Sequence, residues 1–217
     1  MNEMWSACGL LSELRVTMHG HLFLGEDEFI VPENRLEVAA IVGSLRRRSY
    51  NRGLLRTAML TQPEDMHIFE VPIAGIPFFD EDLEQQGDPP TVRDLKTALT
   101  RADALLIATP EYSYSIPGVL KNALDWVSRP SGRSVLRGKP VAIMGASVGR
   151  SGTMRAQLHL RQIFVQIGAI PLPEPEIYLT FAPDKFNSLG ELTDTTALDQ
   201  TRQMMANLRE WVHLLGT

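Results

Sequence analysis

From Leu36 onward, short apolar runs alternate with longer segments in which apolar residues recur at helical spacing. Most of the short runs lack the polar alternation of a half-exposed strand, which is typical of strands buried on both faces of a parallel sheet. The pattern predicts five strands, namely LEVAAIV (36–42), MHIFEV (66–71), DALLIATP (103–110), KPVAIMGA (139–146) and AIPLPEPEIYL (169–179), the last one short with prolines at its edges.

The segments between these runs have helix signals of their own. Thr91 is a suitable N-cap for TVRDLKTALTRA, Pro117 suits the first turn of a helix carrying GVLKNALDWV, and Gly168 closes TMRAQLHLRQIFVQIG as a C-terminal glycine. The terminal segment TALDQTRQMMANLREWVHLL is an amphipathic helix whose apolar residues lie on or near one face, namely Leu198, Met205, Leu208, Trp211 and Val212.

Strands that alternate with helices predict an α/β fold with right-handed crossovers. We therefore expect a three-layer sandwich with a five-stranded parallel sheet, built as one domain from residues 36–217, preceded by an N-terminal extension of residues 1–35. In such a sheet, ligands bind beyond the carboxyl ends of the strands, near the point where the strand order reverses.

Composition narrows the class of partner. The chain has 217 residues and a net charge of −5 with acids and bases interleaved, which argues against nucleic acid or an anionic membrane as partner. No apolar run approaches the roughly 18 residues that a membrane span needs. The single cysteine, Cys8, excludes an intramolecular disulfide and fits the reducing cytoplasm.

The N-terminal extension allows two interpretations. Its DEFIVP segment (27–32) is apolar enough to favour an arm that reaches another subunit, whereas Met18 is a candidate for a later start of the chain. His19 and His21 form an HGH pair, but no further ligands follow at zinc-like spacing, which favours two surface histidines over a metal site.

The loop GSLRRRSYN (43–51) joins the first strand to a helix. A helix N-terminus offers free N–H groups and the positive end of the helix dipole, and Ser44, Arg46, Ser49 and Asn51 add further donors, so the loop suits a phosphate group. It matches neither the Walker pattern nor the dinucleotide fingerprint, which favours a single terminal phosphate. The alternative is that Ser49 only caps the helix and that the arginines form a solvated face.

Two further loops follow the third and fourth strands. TPEYSYSIPG (109–118) is stiffened by prolines at both ends and can hold a planar ring through main-chain groups, although its tyrosines could simply pack. GASVGRSGT (145–153) has glycines that permit close approach, or else it is only a flexible loop. All three loops lie at the expected strand ends, and together they indicate a ligand with one phosphate and a flat ring, which is FMN.

These loops also carry a resemblance. GSLRRRSYN, TPEYSYSIPGVLKNALDW and RAQLHLRQ resemble the NADPH-dependent FMN reductase family, which includes quinone, chromate and azo reductases. The resemblance implies a flavodoxin-like fold of strand order 2-1-3-4-5 with FMN bound non-covalently. It implies that Ser44, Arg46, Ser49 and Asn51 hold the phosphate. It also implies two sets of ring contacts, one from Pro110, Glu111, Tyr112 and Ser113 and the other from Ser147, Val148 and Gly149.

The resemblance further implies a homodimer or homotetramer, with the helix that carries Trp126 facing a neighbour. The sequence departs from the family pattern in three places. Ser113 stands where asparagine is usual, the loop after the fourth strand has fewer paired glycines, and the N-terminal extension is longer.

The predicted activity is NAD(P)H-dependent oxidoreduction, in which NADPH or NADH reduces bound FMN and the flavin reduces a small-molecule electron acceptor such as a quinone, a flavin, an azo compound or a metal oxyanion. No side chain is predicted to be catalytic, because hydride transfer is the chemistry of the cofactor. Within its loop, Glu111 is expected to bond nearby backbone more than to tune the flavin. Alternatives are a flavodoxin-like electron carrier, an arsenical-resistance-type flavoprotein, and a fold retained without its FMN chemistry.

Overall fold

The structure is a computed structural model that describes residues 35–216. The strands are β1 (Leu36–Val42), β2 (Met66–Glu70), β3 (Ala104–Ala108), β4 (Pro140–Ala146), β5 (Ile170–Pro171) and β6 (Ile177–Leu179). The α-helices are α1 (Tyr50–Leu60), α2 (Glu81–Gln85), α3 (Pro90–Arg101), α4 (Gly118–Val127), α5 (Met154–Ile167) and α6 (Thr195–Leu215), with a 3₁₀ turn at Ala182–Lys185. The predicted arm, Cys8 and the HGH pair lie outside the described residues.

The sheet is parallel and has the order β2-β1-β3-β4-β5. This order confirms the flavodoxin-like topology that the resemblance implies. The strand order reverses between the neighbouring strands β1 and β3, because β2 lies on one side of β1 and the later strands lie on the other. The loops that follow β1 and β3 therefore flank the crevice in which such folds bind ligands.

The fifth position of the sheet differs from the predicted single strand. Ile170–Pro171 pairs with the start of β4, and Ile177–Leu179 pairs with its end, so β5 and β6 share one edge of β4. The break between them contains Pro173 and Pro175, which have no N–H to donate to a ladder.

Alternate residues of β1 face the two helical layers. Val38 and Ala40 pack with the apolar residues of α1 and α6, whereas Ala39 and Ile41 pack with those of α3, α4 and α5. Both faces of the central strands are therefore covered, as their continuous apolar sequence predicts. The apolar face predicted for the terminal helix is correct, because Met205, Leu208 and Val212 are buried and Leu198 and Trp211 pack against the core.

One local prediction needs correction. Helix α3 begins at Pro90, and Val92 and Arg93 donate to the carbonyl of Pro89, so Thr91 is not the N-cap. Proline is favoured at this first position because its missing N–H would lack a partner there anyway. The Trp126 side chain is fully buried, and its Nε1 donates to the Pro77 carbonyl at 2.8 Å. That the helix which carries Trp126 faces a neighbour stays a prediction.

No helix within residues 35–216 is both long enough and apolar enough to cross a bilayer.

Candidate cofactor site

Three loops meet at the carboxyl edge of the sheet. The N–H of Gly43 donates to the carbonyl of Ala108 at 2.9 Å, which places the loop after β1 beside the loop after β3. Glu111, in the loop after β3, contacts Ser151 and Arg155 at the start of α5. The structure therefore brings together the loops in which the sequence places all the predicted site residues.

The loop after β1 forms a cradle of hydrogen-bond donors. Ser44 and Ser49 are buried, and the hydroxyl of Ser49 makes no capping bond to α1. Among the described residues, no group accepts from the backbone N–H groups of residues 47–51. Arg46 is exposed beside them, with its guanidinium 5.7 Å from the ring centroid of Tyr50. Free N–H groups at a helix start together with an arginine are the donor set that a phosphate requires.

The side chain of Asn51 has a partner within the protein. Its side-chain Nδ2 donates to the carbonyl of Ala146, and its Oδ1 accepts from the N–H of Ala146, both at 2.9 Å. The amide thus ties the first turn of α1 to the end of β4. Its backbone N–H and the second N–H of Nδ2 have no acceptor among the described residues.

The loop after β3 contains a tight hairpin turn. Tyr112 and Ser115 exchange two backbone hydrogen bonds of 2.9 Å, and the central residues Ser113 and Tyr114 have φ angles of 49° and 68°. Positive φ at both central positions defines a type I′ turn, in which asparagine and glycine are favoured. The asparagine that the resemblance leads us to expect at position 113 would therefore have a backbone reason, independent of any contact with a ligand.

Glu111 is held by the start of α5 and does not have a free carboxylate. It accepts from the backbone N–H of Arg155 at 3.0 Å and from the Nε of Arg155 at 2.5 Å, and its side chain is 5% exposed. Burial raises the pKa of this carboxyl, but the hydrogen bonds from Arg155 and Ala156 outweigh it, so the pKa lies below its ordinary value. What Glu111 offers a ligand is its backbone.

Arg155 is a residue that the sequence analysis missed. Its guanidinium bonds Glu111 and also lies 3.6 Å from the ring centroid of Tyr114, at the tip of the hairpin turn. Arg155 therefore clamps the turn against α5. Its partners lie about 40 residues earlier in the chain, so no local pattern indicates this role.

The loop after β4 lies against the chain that follows β6. Ser147 donates to Leu179 and accepts from Ala182, while Gly149 accepts from Phe181. Val148 remains 66% exposed at the edge of the crevice. Phe181, also missed by the sequence analysis, has a φ of 50°, which is uncommon for a bulky residue.

The glycines of this loop have different roles. A Cβ at Gly145 would overlap the Thr153 hydroxyl and the Thr109 carbonyl, and one at Gly152 would overlap the Tyr178 carbonyl. A Cβ at Gly149 would meet no atom within 4 Å, so packing does not require glycine there. The close approach predicted for these glycines thus serves the contact between β4, β6 and α5 at two positions.

Taken together, the site offers donors for one phosphate and, after β3 and β4, exposed side chains that include Tyr112 and Val148. This donor set fits FMN, which has one terminal phosphate and a flat ring. A bridging pyrophosphate would favour a glycine-rich turn, which the loop 43–51 lacks.

Comparison with known proteins agrees with this geometry. The sequence pattern of the NADPH-dependent FMN reductase family matches residues 36–184. An NAD(P)H-dependent FMN reductase of Pseudomonas aeruginosa is 46% identical over 180 residues, which cover 83% of this chain and 97% of that protein. A 2-hydroxy-1,4-benzoquinone reductase of a Burkholderia species is 40% identical over 177 residues, covering 82% and 96%.

Among solved structures, the flavoenzyme FerB of Paracoccus denitrificans, an NAD(P)H:(acceptor) oxidoreductase, superposes with a TM-score of 0.75 at 31% identity. The superposition covers 82% of this chain and 97% of that one. The match to the family pattern spans more than half of the sequence and includes all three loops of the site. The chain belongs to the NADPH-dependent FMN reductase family, whose members are flavodoxin-like oxidoreductases that use FMN.

Proposed function

We propose that the protein oxidises NADPH or NADH with FMN held at the carboxyl edge of the sheet, and that it passes the electrons to quinones. The observation that carries this proposal is the run of five backbone N–H groups without an acceptor among the described residues, at the start of α1. The first N–H groups of a helix have no partner within the helix, and Ser49 and Asn51 are buried here, so these donors beside Arg46 favour a site for an anion.

The phosphate contacts are assigned to Ser44, Arg46, Ser49 and the backbone of residues 47–51. Both serines are buried, and Arg46 supplies a positive charge at the mouth of the cradle. The helix dipole of α1 adds to this field, because no acidic residue occupies its first turn.

The ring contacts are assigned to Pro110, the backbone of Glu111, Tyr112 and Ser113 on one side, and to Ser147, Val148 and Gly149 on the other. Arg155 and Glu111 keep the hairpin turn in place through the stack with Tyr114. These residues bind and orient, and none of them has to exchange a proton with a substrate. Bound FMN supplies the redox chemistry, since its ring takes up a hydride and gives up electrons.

A quinone is favoured as acceptor by the character of the crevice edge. Tyr112 and Val148 are exposed there, so they offer a flat, mostly apolar surface to an aromatic ring. One relative, from a Burkholderia species, is named a 2-hydroxy-1,4-benzoquinone reductase, and benzoquinones have a flat ring of this kind.

The domain organisation, location and assembly are further parts of the proposal. Residues 36–217 would form the FMN-binding domain, with residues 1–35 as an extension, and the protein would act in the cytoplasm, where NAD(P)H is available. A homodimer or homotetramer is supported by apolar side chains on the outer face of α5, where Leu158 and Val165 are exposed. Sedimentation velocity at micromolar protein checks the assembly, and a monomer would contradict it.

The visible absorption spectrum of the purified protein tests the activity directly. We expect a flavin spectrum that NADPH bleaches without oxygen and that 1,4-benzoquinone then restores. A flavin that stays oxidised with both NADPH and NADH would indicate an electron carrier. A colourless protein that takes up no added FMN would contradict the cofactor site itself.

A further inference from the structure

The hairpin turn of residues 112–115 has a second contact with α5, at its base. The Oγ atom of Ser115 and the Nδ1 atom of His159 lie 2.9 Å apart and form a hydrogen bond. His159 stands one helical turn after Arg155, so the two side chains lie on the same face of α5. Helix α5 therefore holds the turn twice, at its tip through Arg155 and at its base through His159.

The turn depends on contacts from outside it. Its central residues, Ser113 and Tyr114, both have positive φ, and neither is glycine or asparagine. The left-handed conformation costs free energy at such residues and persists only where surrounding contacts impose it. The two backbone bonds between Tyr112 and Ser115 lie within the turn, so they do not fix its position relative to the rest of the protein. That position depends on contacts such as those with α5.

The imidazole of His159 has no competing partner. Within residues 35–216 its side chain makes no other hydrogen bond and no ion pair. Lys121, which lines the same cleft between α4 and α5, is bonded to Asp125 at 2.6 Å. Both tautomers of the imidazole can make the bond to Ser115, because Nδ1 donates to Oγ when it carries a proton and accepts from the hydroxyl when it does not.

The base of the turn is coupled to the residues assigned to the flavin ring. The N–H of Tyr112 donates to the carbonyl of Ser115, and the N–H of Ser115 donates to the carbonyl of Tyr112, both at 2.9 Å. A displacement of Ser115 therefore also displaces Tyr112, whose side chain is 51% exposed at the edge of the crevice. His159 can act on the ring through this pair without touching it.

We infer that His159 is a positioning residue for the flavin ring. Its bond to Ser115 fixes the base of the hairpin turn and thereby holds Tyr112 and Ser113 in place beside the ring. The inference rests on the proposed function, because it assumes that FMN binds with its ring at this turn. It concerns the ring and not the phosphate, which the cradle after β1 holds, and this difference makes it testable.

Fluorescence titrations with FMN and with riboflavin test the inference, because riboflavin has the same ring but no phosphate. We expect His159→Ala to weaken the binding of both flavins about fivefold, as the loss of one hydrogen bond should. His159→Asn should restore most of the affinity, since its amide keeps a hydrogen-bonding atom near the place of Nδ1. His213→Ala, at an exposed histidine of α6, is the matched control and should change neither affinity. Unchanged binding by His159→Ala, or a loss for FMN alone, would overturn the inference.

A double-variant comparison tests whether His159 acts through Ser115. Ser115→Ala should weaken the binding of both flavins as His159→Ala does, and the double variant should bind them no more weakly than either single variant, because all three lack the same bond. Losses that multiply to about 25-fold would mean that the two side chains act independently and would overturn the inference. The visible circular dichroism of bound FMN, which reports the surroundings of the ring, should change in His159→Ala and return in His159→Asn. An unchanged spectrum in His159→Ala would contradict a positioning role.

The titrations need neither NADPH nor a quinone, so they separate this inference from the proposed activity. A wild-type protein that binds FMN no better than His159→Ala does would overturn the inference and leave the proposed function standing. A wild-type protein that binds no FMN would contradict the proposed function and the inference together.

Discussion

The loops after β1 and β3 follow neighbouring strands, but within the described part of the chain the charged side chains of the first are unpaired and those of the second are paired. After β1, three consecutive arginines contact no carboxylate of the described residues, and a row of N–H groups has no acceptor there. After β3, the one acid of the loop, Glu111, bonds the guanidinium of Arg155, which in turn lies over Tyr114. The first loop keeps its donors open, while the second uses its charges on the protein itself.

This difference indicates that the first loop contributes to ligand binding and the second to the stability of the fold. Unpaired donors can form new hydrogen bonds with a ligand and so contribute to its binding free energy. Charges that are already paired within the protein contribute to the stability of the fold and add little to ligand binding. Substitutions in the first loop should therefore change affinity and leave stability nearly unaltered. Substitutions in the second loop should do the reverse.

The largest effect is expected from Arg46→Ala combined with Ser49→Ala. The loss of two charge-assisted hydrogen bonds to phosphate should weaken FMN binding by about 3 kcal/mol, which is more than a hundredfold in Kd. The unfolding free energy of the FMN-free protein should change by less than about 1 kcal/mol, because Ser49 makes no capping bond. Fluorescence titration with FMN measures the affinity, with Arg93→Ala on the surface of α3 as control. Unchanged FMN binding would contradict the assignment of Arg46 and Ser49 to the FMN phosphate.

Glu111→Gln should have the next largest effect, on stability. It removes a buried carboxylate from three donor groups of α5, and we expect a loss of about 2–3 kcal/mol in unfolding free energy measured by urea denaturation. The exposed pair Lys121–Asp125 is the comparison, since Asp125→Asn should cost less than about 0.5 kcal/mol. Similar losses for both variants would mean that the bonds between Glu111 and Arg155 stabilise the protein no more than an exposed ion pair does.

The same variant predicts a pH dependence. The pKa of Glu111 in the folded protein is lower than its ordinary value of 4.5, so its contribution to stability is fully present above that value. The contribution is lost as the pH falls through the folded-state pKa. The stability difference between wild type and Glu111→Gln should be constant between about pH 6 and 8 and should shrink below about pH 4. A stability difference between the two proteins that grows as the pH falls would contradict this prediction.

Asn51→Ala should give an intermediate result and thereby sharpen the comparison. The residue lies in the first loop's helix, but both ends of its amide bond Ala146. We expect a stability loss of about 2 kcal/mol from two buried hydrogen bonds, with FMN affinity reduced less than in the Arg46/Ser49 double variant. Loss of FMN binding without loss of stability would favour the direct phosphate contact that the resemblance implies.

The smallest effect is expected at Ser113. Asparagine tolerates positive φ better than serine, so Ser113→Asn should stabilise the protein by about 0.5 kcal/mol through the type I′ turn. Ser131→Asn, at an exposed position without positive φ, should have no effect. Thermal unfolding of the FMN-free protein checks this, and a gain in FMN affinity without a gain in stability would favour a side-chain contact instead.

Much of this architecture could be predicted from the sequence, because it depends on local patterns. Continuous apolar runs predict the buried strands, and the sudden cluster of donors after Val42 predicts the cradle. Long-range partners could not be predicted. Arg155 meets Glu111 across 44 residues, and nothing in either segment indicates the other.

The interruption of the fifth strand and the backbone conformation of Phe181 could not be predicted for the same reason, because both depend on tertiary contacts. The fifth strand looked continuous, but only its pairing with β4 shows that Pro173 and Pro175 interrupt it. Phe181 carries no local signal at all, since its positive φ follows from the way the chain after β6 meets the loop after β4. Backbone conformations imposed by tertiary contacts are invisible to a pattern of residue types.

The double hydrogen bond between Asn51 and Ala146 also bears on biosynthesis. It joins residues that are 95 positions apart, so the first turn of α1 has no final anchor until the end of β4 has left the ribosome. A chain released before that point has the phosphate loop in its sequence but lacks the partner that secures its helix to the sheet. The anchor of the phosphate loop is therefore complete only after Ala146 has been synthesised.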